Sequence, residues 1–403
     1  MLRRRQVYLL SAPEAIGQVL VANAANYTSR ELNLPATAFL GNGLLSLDGE
    51  DHRRQRALVQ PAFGRRRVEA YTPGMLDPIQ QLASDWSDVD VVEVHAAMQR
   101  LTLAIVARAI FDVDLQEQGA ALGAAFGVLL ADRRRGLIAT TRLLVTGSLP
   151  DPPGLRQAQA ALDGWMRQLL ARRRAEASDR GDIVSALLQA QGEGPPLTDD
   201  QIRDHAMTLL AAGHETTSNA LTVTLHLLSG HPTERARLQA ELDAGLAGSP
   251  PSAADLERLP FLDAVLREAL RLYPPVWVVG RRARNADLVA GFHLPAGSFC
   301  LMSQWVMHRT PAFWPDPARF RPERWLPPAR PPAPFTYFPF GAGPRTCIGM
   351  PFALLEARLA LAVLLQRFTP EALPGQRLRL SPVVTLRPRG GVRVRLRARR
   401  PGG

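Results

Sequence analysis

A chain of 403 residues, 46% of them hydrophobic, can fill a substantial core, and length alone suggests two or three domains. Net charge is +11, but every basic residue is arginine and the arginines run along the whole chain, which reads as GC-biased coding and argues against nucleic-acid binding. Two cysteines far apart, Cys300 and Cys347, exclude a disulfide framework and fit a reducing compartment. No linker-like break interrupts the chain, so a single large domain stays open.

Met1-Leu2-Arg3-Arg4-Arg5 followed by Val7–Leu10 imitates a signal peptide, yet Pro13 and Glu14 cut the apolar run too short. No stretch reaches the roughly 18 apolar residues of a membrane span. A soluble, cytoplasmic protein without a transmembrane segment is expected. Gln6–Leu10 reads as a strand, with Ser11 as N-cap of a helix that carries Pro13 in its first turn and runs to about Ala22. After Asp48-Gly49, a helix places His52 and Arg56 on one face at i, i+4, which by itself is a solvated basic face. From Val91 to Glu193 the pattern is helical and poor in motifs, with breaks at 149–154 and 192–196.

Thr198-Asp199-Asp200-Gln201 is a capping-box pattern opening a long helix to about Ser229. Its middle, Ala211-Ala212-Gly213-His214-Glu215-Thr216-Thr217, combines a glycine with two β-branched residues that weaken a helix interior. A threonine hydroxyl there can bond back to a carbonyl one turn earlier. One reading is a tolerated irregularity. The other is a task, because an acid beside an alcohol is costly to bury in an apolar segment. Asp255–Leu272 is an amphipathic helix with Glu268 and Arg271 at i, i+3, followed by Tyr273-Pro274-Pro275. Taken alone, that pair is of little worth at a surface. Apolar Val276–Val279 leads to Arg281-Arg282, and Asp287–Leu294, Ser298–Leu301 and Val392–Leu396 read as strands, with Cys300 as packing.

Cys347 stands in the loop Phe340-Gly341-Ala342-Gly343-Pro344-Arg345-Thr346-Cys347-Ile348-Gly349, which runs into an apolar helix from about Pro351 to Phe368. It is either an inert thiol or a thiolate ligand. A thiolate needs donors and positive charge, and a helix N-terminus supplies both. Glycines let backbone approach a flat, bulky cofactor, Phe340 can cover the sulfur, and Arg345 offers a cation to an anionic group on that cofactor.

The pattern Phe340-x-x-Gly343-x-Arg345-x-Cys347-x-Gly349 resembles the haem-binding loop of the cytochrome P450 family, whose cysteine thiolate is the proximal iron ligand. The other motifs, from His52 to the last helix, stand in family order. The resemblance implies a mostly α fold with small antiparallel β-sheets in one domain over 1–403. It implies haem b (iron protoporphyrin IX) lying between the long central helix and the helix after the cysteine loop. Cys347 then binds iron, with Phe340, Gly343 and Gly349 around it. Arg345 meets an anionic group, His52, Arg56 and Arg281 (Arg282 as alternate) take propionates, and Gly213 makes room for oxygen. Glu215 and Thr216 match the acid–alcohol pair beside the oxygen site, while His214 is structural. Glu268, Arg271 and Arg324, the last within Arg321-Pro322-Glu323-Arg324-Trp325, match a buried triad that clamps the loop before the cysteine. Thr310 stands where the family has aspartate, which touches only a local turn.

By the same resemblance the reaction is monooxygenation of an apolar small molecule. One dioxygen atom enters a C–H bond and the other leaves as water, at the expense of two electrons and two protons. No flavin or iron–sulfur segment is present, so a separate ferredoxin- or flavodoxin-type donor is expected, docked on Arg53, Arg54 and Arg65–Arg67. A peroxide-driven relative is the enzymatic alternative and a non-catalytic haem sensor the other; Glu215-Thr216 argues against both. Leu262-Asp263-Ala264-Val265 and Arg321–Trp325 lean towards fatty-acid, terpenoid or carotenoid substrates. His52 comes early for the family, so an N-terminal helix and strand are expected to be missing ahead of Gln6–Leu10, leaving the first sheet with an open edge.

Overall fold

The structure, a computed structural model, describes residues 6–30, 40–86, 90–114, 125, 154–176, 179–192, 194–328, 331–382 and 384–399. Of the break expected at 149–154, residues 149–153 lie outside them and Gly154 has a positive φ of 82°. Chain contacts define two compact units that alternate along the sequence. One comprises Met1–Tyr27, Thr72–Thr102 and His214–Gly403, the other Thr28–Tyr71 and Leu103–Gly213.

The strands are short: β1 Val7–Leu10, β2 Tyr27–Thr28, β3 Val91–Glu93, β4 Val279–Ala283, β5 Asp287–Val289, β6 Phe292–Leu294, β7 Phe299–Met302, β8 Phe368–Ala372, β9 Leu380–Pro382, β10 Leu386–Pro388 and β11 Arg393–Ala398. The largest sheet has the order β1-β7-β4-β2, with β1 at its edge. β1 runs parallel to β7, with Tyr8 opposite Cys300, and β4 runs antiparallel to β7. Parallel neighbours need a crossover, and here most of the chain lies between the two strands. Ile16, Val19, Leu20, Cys300, Met302 and Phe338 pack beneath this sheet. Cys300 is fully buried, so its role is packing.

Helices follow the polar signals closely. Thr198 and Gln201 make the reciprocal capping box, Gln201 N–H to Thr198 Oγ1 at 3.2 Å and Thr198 N–H to Gln201 Oε1 at 3.0 Å. The central helix runs Asp199–Gly230 without a break through Gly213. Threonine back-bonding is present further along this helix, from Thr222 to Ser218 O and from Thr224 to Ala220 O. Two expectations fail. The first helix is capped by Ala12, not Ser11, and passes at Gln18 into a π-helical turn ending at Ala22. Asp255–Leu272 is two helices, Ala253–Leu256 and Pro260–Leu272, because Pro260 has no N–H to donate and starts the second.

Val94–Phe111 is long and apolar enough by composition to cross a membrane, but 61% of it is buried inside the protein, as in a core helix. In the second unit, the helix Gly49–Val59 carries His52 and Arg56. The neighbouring arginines are largely compensated: Arg53 pairs with Glu50, Arg65 with Glu69 and Arg67 with Asp179. Arg54 donates to the Pro195 carbonyl at 3.0 Å, and Arg66 is exposed.

Candidate active site

The cysteine loop is closed by its own backbone. Cys347 N–H donates to the Phe340 carbonyl at 2.9 Å, and Thr346 N–H to that of Gly343 at 2.9 Å. Two turns of this loop need left-handed backbone, met by Gly341 at φ +73° and Gly343 at φ +69°. At Gly343 a Cβ would also overlap the Leu20 carbonyl, so the loop lies directly on the first helix. Gly349 is the N-cap of the helix Met350–Arg367. Cys347 is exposed two residues ahead of that cap, in contrast to Cys300. Glu356 is fully buried on the same helix, and burial, partly offset by the Thr217 hydroxyl, pushes its carboxyl well above the usual carboxylate range.

Ahead of the loop stands a charged scaffold. Arg271 donates bidentately to Glu268, Nε to Oε2 and Nη2 to Oε1, both at 2.8 Å, with neither side chain exposed. Arg324 Nε reaches Glu268 Oε1 at 2.9 Å, and Trp325 Nε1 reaches Oε2 at 3.0 Å. Arg271 also holds the carbonyls of His308, Pro317 and Arg319. His308 completes the connection by accepting from Phe338 N–H at 3.0 Å, two residues before the loop. Thr310 leaves the adjacent turn intact, its carbonyl taking the N–H groups of Phe313 and Trp314.

His308 accepts through Nε2 and must therefore be neutral. Burial first, then the nearby Arg271 and Arg309, push its pKa down to about 3; burial pushes that of His205 down to about 4. In the unfolded chain both take a proton near 6.5. Between those values the unfolded state binds more protons, so stability is fully present above pH 6.5 and falls as pH drops towards 3. Each histidine costs about 1.4 kcal/mol per pH unit of acidification inside its own window, which ends at about 3 for His308 and about 4 for His205. The denaturant midpoint should be lower at pH 5 than at pH 7, and His308→Gln should flatten the difference. Equal midpoints in the parent protein would contradict this.

The central helix is buried on most sides, but Ala212 is exposed and Leu209, Gly213 and Thr216 are half-buried. These positions, i, i+3, i+4 and i+7, form one stripe. Gly213 has a packing reason as well, since a Cβ there would come within 3.2 Å of Val106 Cγ2. Glu215 lies off the stripe and is buried. Its Oε1 accepts from Thr385 Oγ1 and from Arg387 Nε, each at 2.5 Å. Neither partner was legible in the sequence, which separates them from Glu215 by 170 and 172 residues.

Arg281 and Arg282 are neighbours on β4 and so face opposite sides. Arg282 lies beside Gly297, whereas Arg281 Nη1 donates to the Gly280 carbonyl at 2.8 Å. Arg345 is half-buried in the 3-10 turn Gly343–Arg345. An accessible thiol on a glycine-shaped loop, with the Arg345 cation inside the same loop, makes a donor set suited to a metal with a soft ligand and anionic side groups. The residues present fit a haem. Among the described residues no cluster of histidine, cysteine and carboxylate offers a rival metal site.

The cytochrome P450 family model matches residues 1–391. The chain belongs to the cytochrome P450 family. As a P450 it is a monooxygenase with a haem-thiolate cofactor, a redox partner and an apolar substrate. Among its relatives, cyclooctatin synthase of Streptomyces melanosporofaciens is 38% identical over 95% of this chain and 84% of that protein. Pentalenene oxygenase of Streptomyces avermitilis is 35% identical over 98% of this P450 and 88% of its own length. The crystal structure of the cytochrome P450DA heme domain superposes with a TM-score of 0.86 at 28% identity, over 98% of this chain and 88% of that one. Retinoic acid bound cyanobacterial CYP120A1 superposes with a TM-score of 0.87 at 29% identity, over 97% and 89%.

Proposed function

We propose that this P450 hydroxylates a cyclic terpenoid, using haem b ligated by Cys347 and electrons from a separate ferredoxin- or flavodoxin-type donor. The substrate class rests on the two relatives, whose names give pentalenene as a compound oxidised and cyclooctatin as a compound made. In this reading Phe340, Gly343 and Gly349 surround the ligand sulfur, and Arg281, Arg345, His52 and Arg56 take the anionic groups of the cofactor. The protein is cytoplasmic.

One observation carries the catalytic part. Thr216 sits on the accessible stripe that Leu209, Ala212 and Gly213 form in the middle of the central helix, with the carboxylate Glu215 next to it in sequence. When bound, haem activates dioxygen. The chain's part is to exclude water, orient the substrate along Leu209, Ala212 and Gly213, and deliver protons through Glu215 and the Thr216 hydroxyl. Glu268, Arg271 and Arg324 hold the loop and take no part in chemistry.

Thr216→Ala is expected to keep haem and substrate binding while diverting electrons to hydrogen peroxide. A positioned proton donor is worth about two to four orders of magnitude in the step it serves. Unchanged coupling of electron use to product would sink the relay. The substrate class is tested by screening cyclic terpenes, fatty acids and carotenoids for a shift of the ferric Soret band. A response confined to fatty acids would overturn the terpenoid reading.

A further inference from the structure

The acid of the acid–alcohol pair does not face the accessible stripe. Consecutive helical residues point about 100° apart, and Glu215 uses that angle to reach the hairpin β9–β10. Its side chain is 3% exposed and that of Arg387 17%. Oε1 takes the Arg387 Nε–H and the Thr385 hydroxyl together. Thr385 is in turn held by Asn219, one turn further along the same helix, whose Nδ2 lies 3.4 Å from Oγ1. Asn219 Oδ1 meets Nε2 of His95 at 3.1 Å.

We propose that Arg387 and Thr385 are positioning residues for proton delivery, a latch that fixes the Glu215 carboxylate on the hairpin side of the helix, where it takes up the protons destined for Thr216. Several features favour this over a merely structural ion pair. A surface-type pair would not need two donors on a single oxygen. The helix itself needs no anchor there, since its backbone ladder is unbroken and its N-terminus is capped by Thr198 and Gln201. The latch also stands on a ladder of only three residue pairs, Leu386 opposite Pro382, Arg387 opposite Ser381 and Pro388 opposite Leu380. So short a hairpin can shift without unfolding the core around it. One proton moves from solvent to the Glu215 carboxylate and on to the Thr216 hydroxyl, which gives up its own to the oxygen atom that leaves as water, so neither side chain changes over a cycle.

The inference rests on Glu215 being the proton-delivering group, and a double-mutant cycle separates the two ideas. Peroxide formed per electron pair is measured in the holoenzyme for Arg387→Gln, Glu215→Gln and both together. Arg387→Gln should raise peroxide release about ten- to a hundredfold relative to product, the range for partners that orient a functional group. Arg387→Lys should recover part of it, because lysine keeps the charge but lacks the planar fork. In the Glu215→Gln background, Arg387→Gln should add nothing. A readout independent of turnover is the infrared carboxylate band of Glu215 in the resting enzyme, assigned with Glu215→Gln, which should shift in Arg387→Gln. Thr385→Val is the second variant if the arginine change impairs folding, and should act in the same direction. If Glu215→Gln uncouples the enzyme while Arg387→Gln and Thr385→Val leave coupling and the band unchanged, the latch is wrong. Additive effects would also overturn it. If Glu215→Gln itself is fully coupled, the relay reading fails first.

Discussion

Arg271→Ala is expected to give insoluble or haem-free protein. The guanidinium spends its donors on Glu268 and on three carbonyls, those of His308, Pro317 and Arg319, and is itself fully buried. Removing it strands Glu268, also fully buried, with Arg324, Trp325 and the Arg321 backbone N–H as its remaining donors. Breaking a buried charged network in this way costs about 3–5 kcal/mol, set against a total stability of roughly 5–15 kcal/mol for a typical protein. The damage would also travel. His308 ties the scaffold to Phe338, so the start of the cysteine loop loses its support. Arg271→Lys should not rescue, since an ammonium cannot make the paired bonds. Haem absorbance per mole of purified protein and the denaturant midpoint are the measurements. A soluble, fully loaded Arg271→Ala protein would show that the scaffold is dispensable.

Local signals carried most of what the sequence revealed. Thr198 and Gln201 are three residues apart, as are Glu268 and Arg271, so spacing alone brings each pair together on a helix. The cysteine loop was readable for the same reason, its glycines, arginine and thiol lying within one short stretch. Long-range pairing was not. Glu215 meets Arg387 through a hairpin whose strands are three residues each, too short to show alternation. The parallel partnership of β1 with β7 joins the two ends of a long crossover, and no periodicity encodes it. The split at Pro260 escaped because apolar spacing continues across the turn, while a missing N–H decides where the backbone can be helical. Ser11 resembled a cap by residue type, but the backbone turns into the helix one residue later, at Ala12.

The second large effect concerns Cys347. It lies on a backbone-closed loop with Gly341 and Gly343 in left-handed conformations, immediately before the N-terminus of an 18-residue helix. Alanine there removes the only accessible thiol among the described residues, because Cys300 is packed beneath a sheet and burial pushes its own pKa up to about 11. Neutral Cys300 cannot substitute as a thiolate. Cys347→Ala should therefore lose thiolate ligation entirely, with product formation, whereas Cys300→Ala should keep both. The most direct test is the absorbance spectrum of reduced protein under carbon monoxide. The parent protein and Cys300→Ala should show the strongly red-shifted Soret band of a thiolate-ligated haem, and Cys347→Ala should not. Persistence of that band in Cys347→Ala would contradict the account.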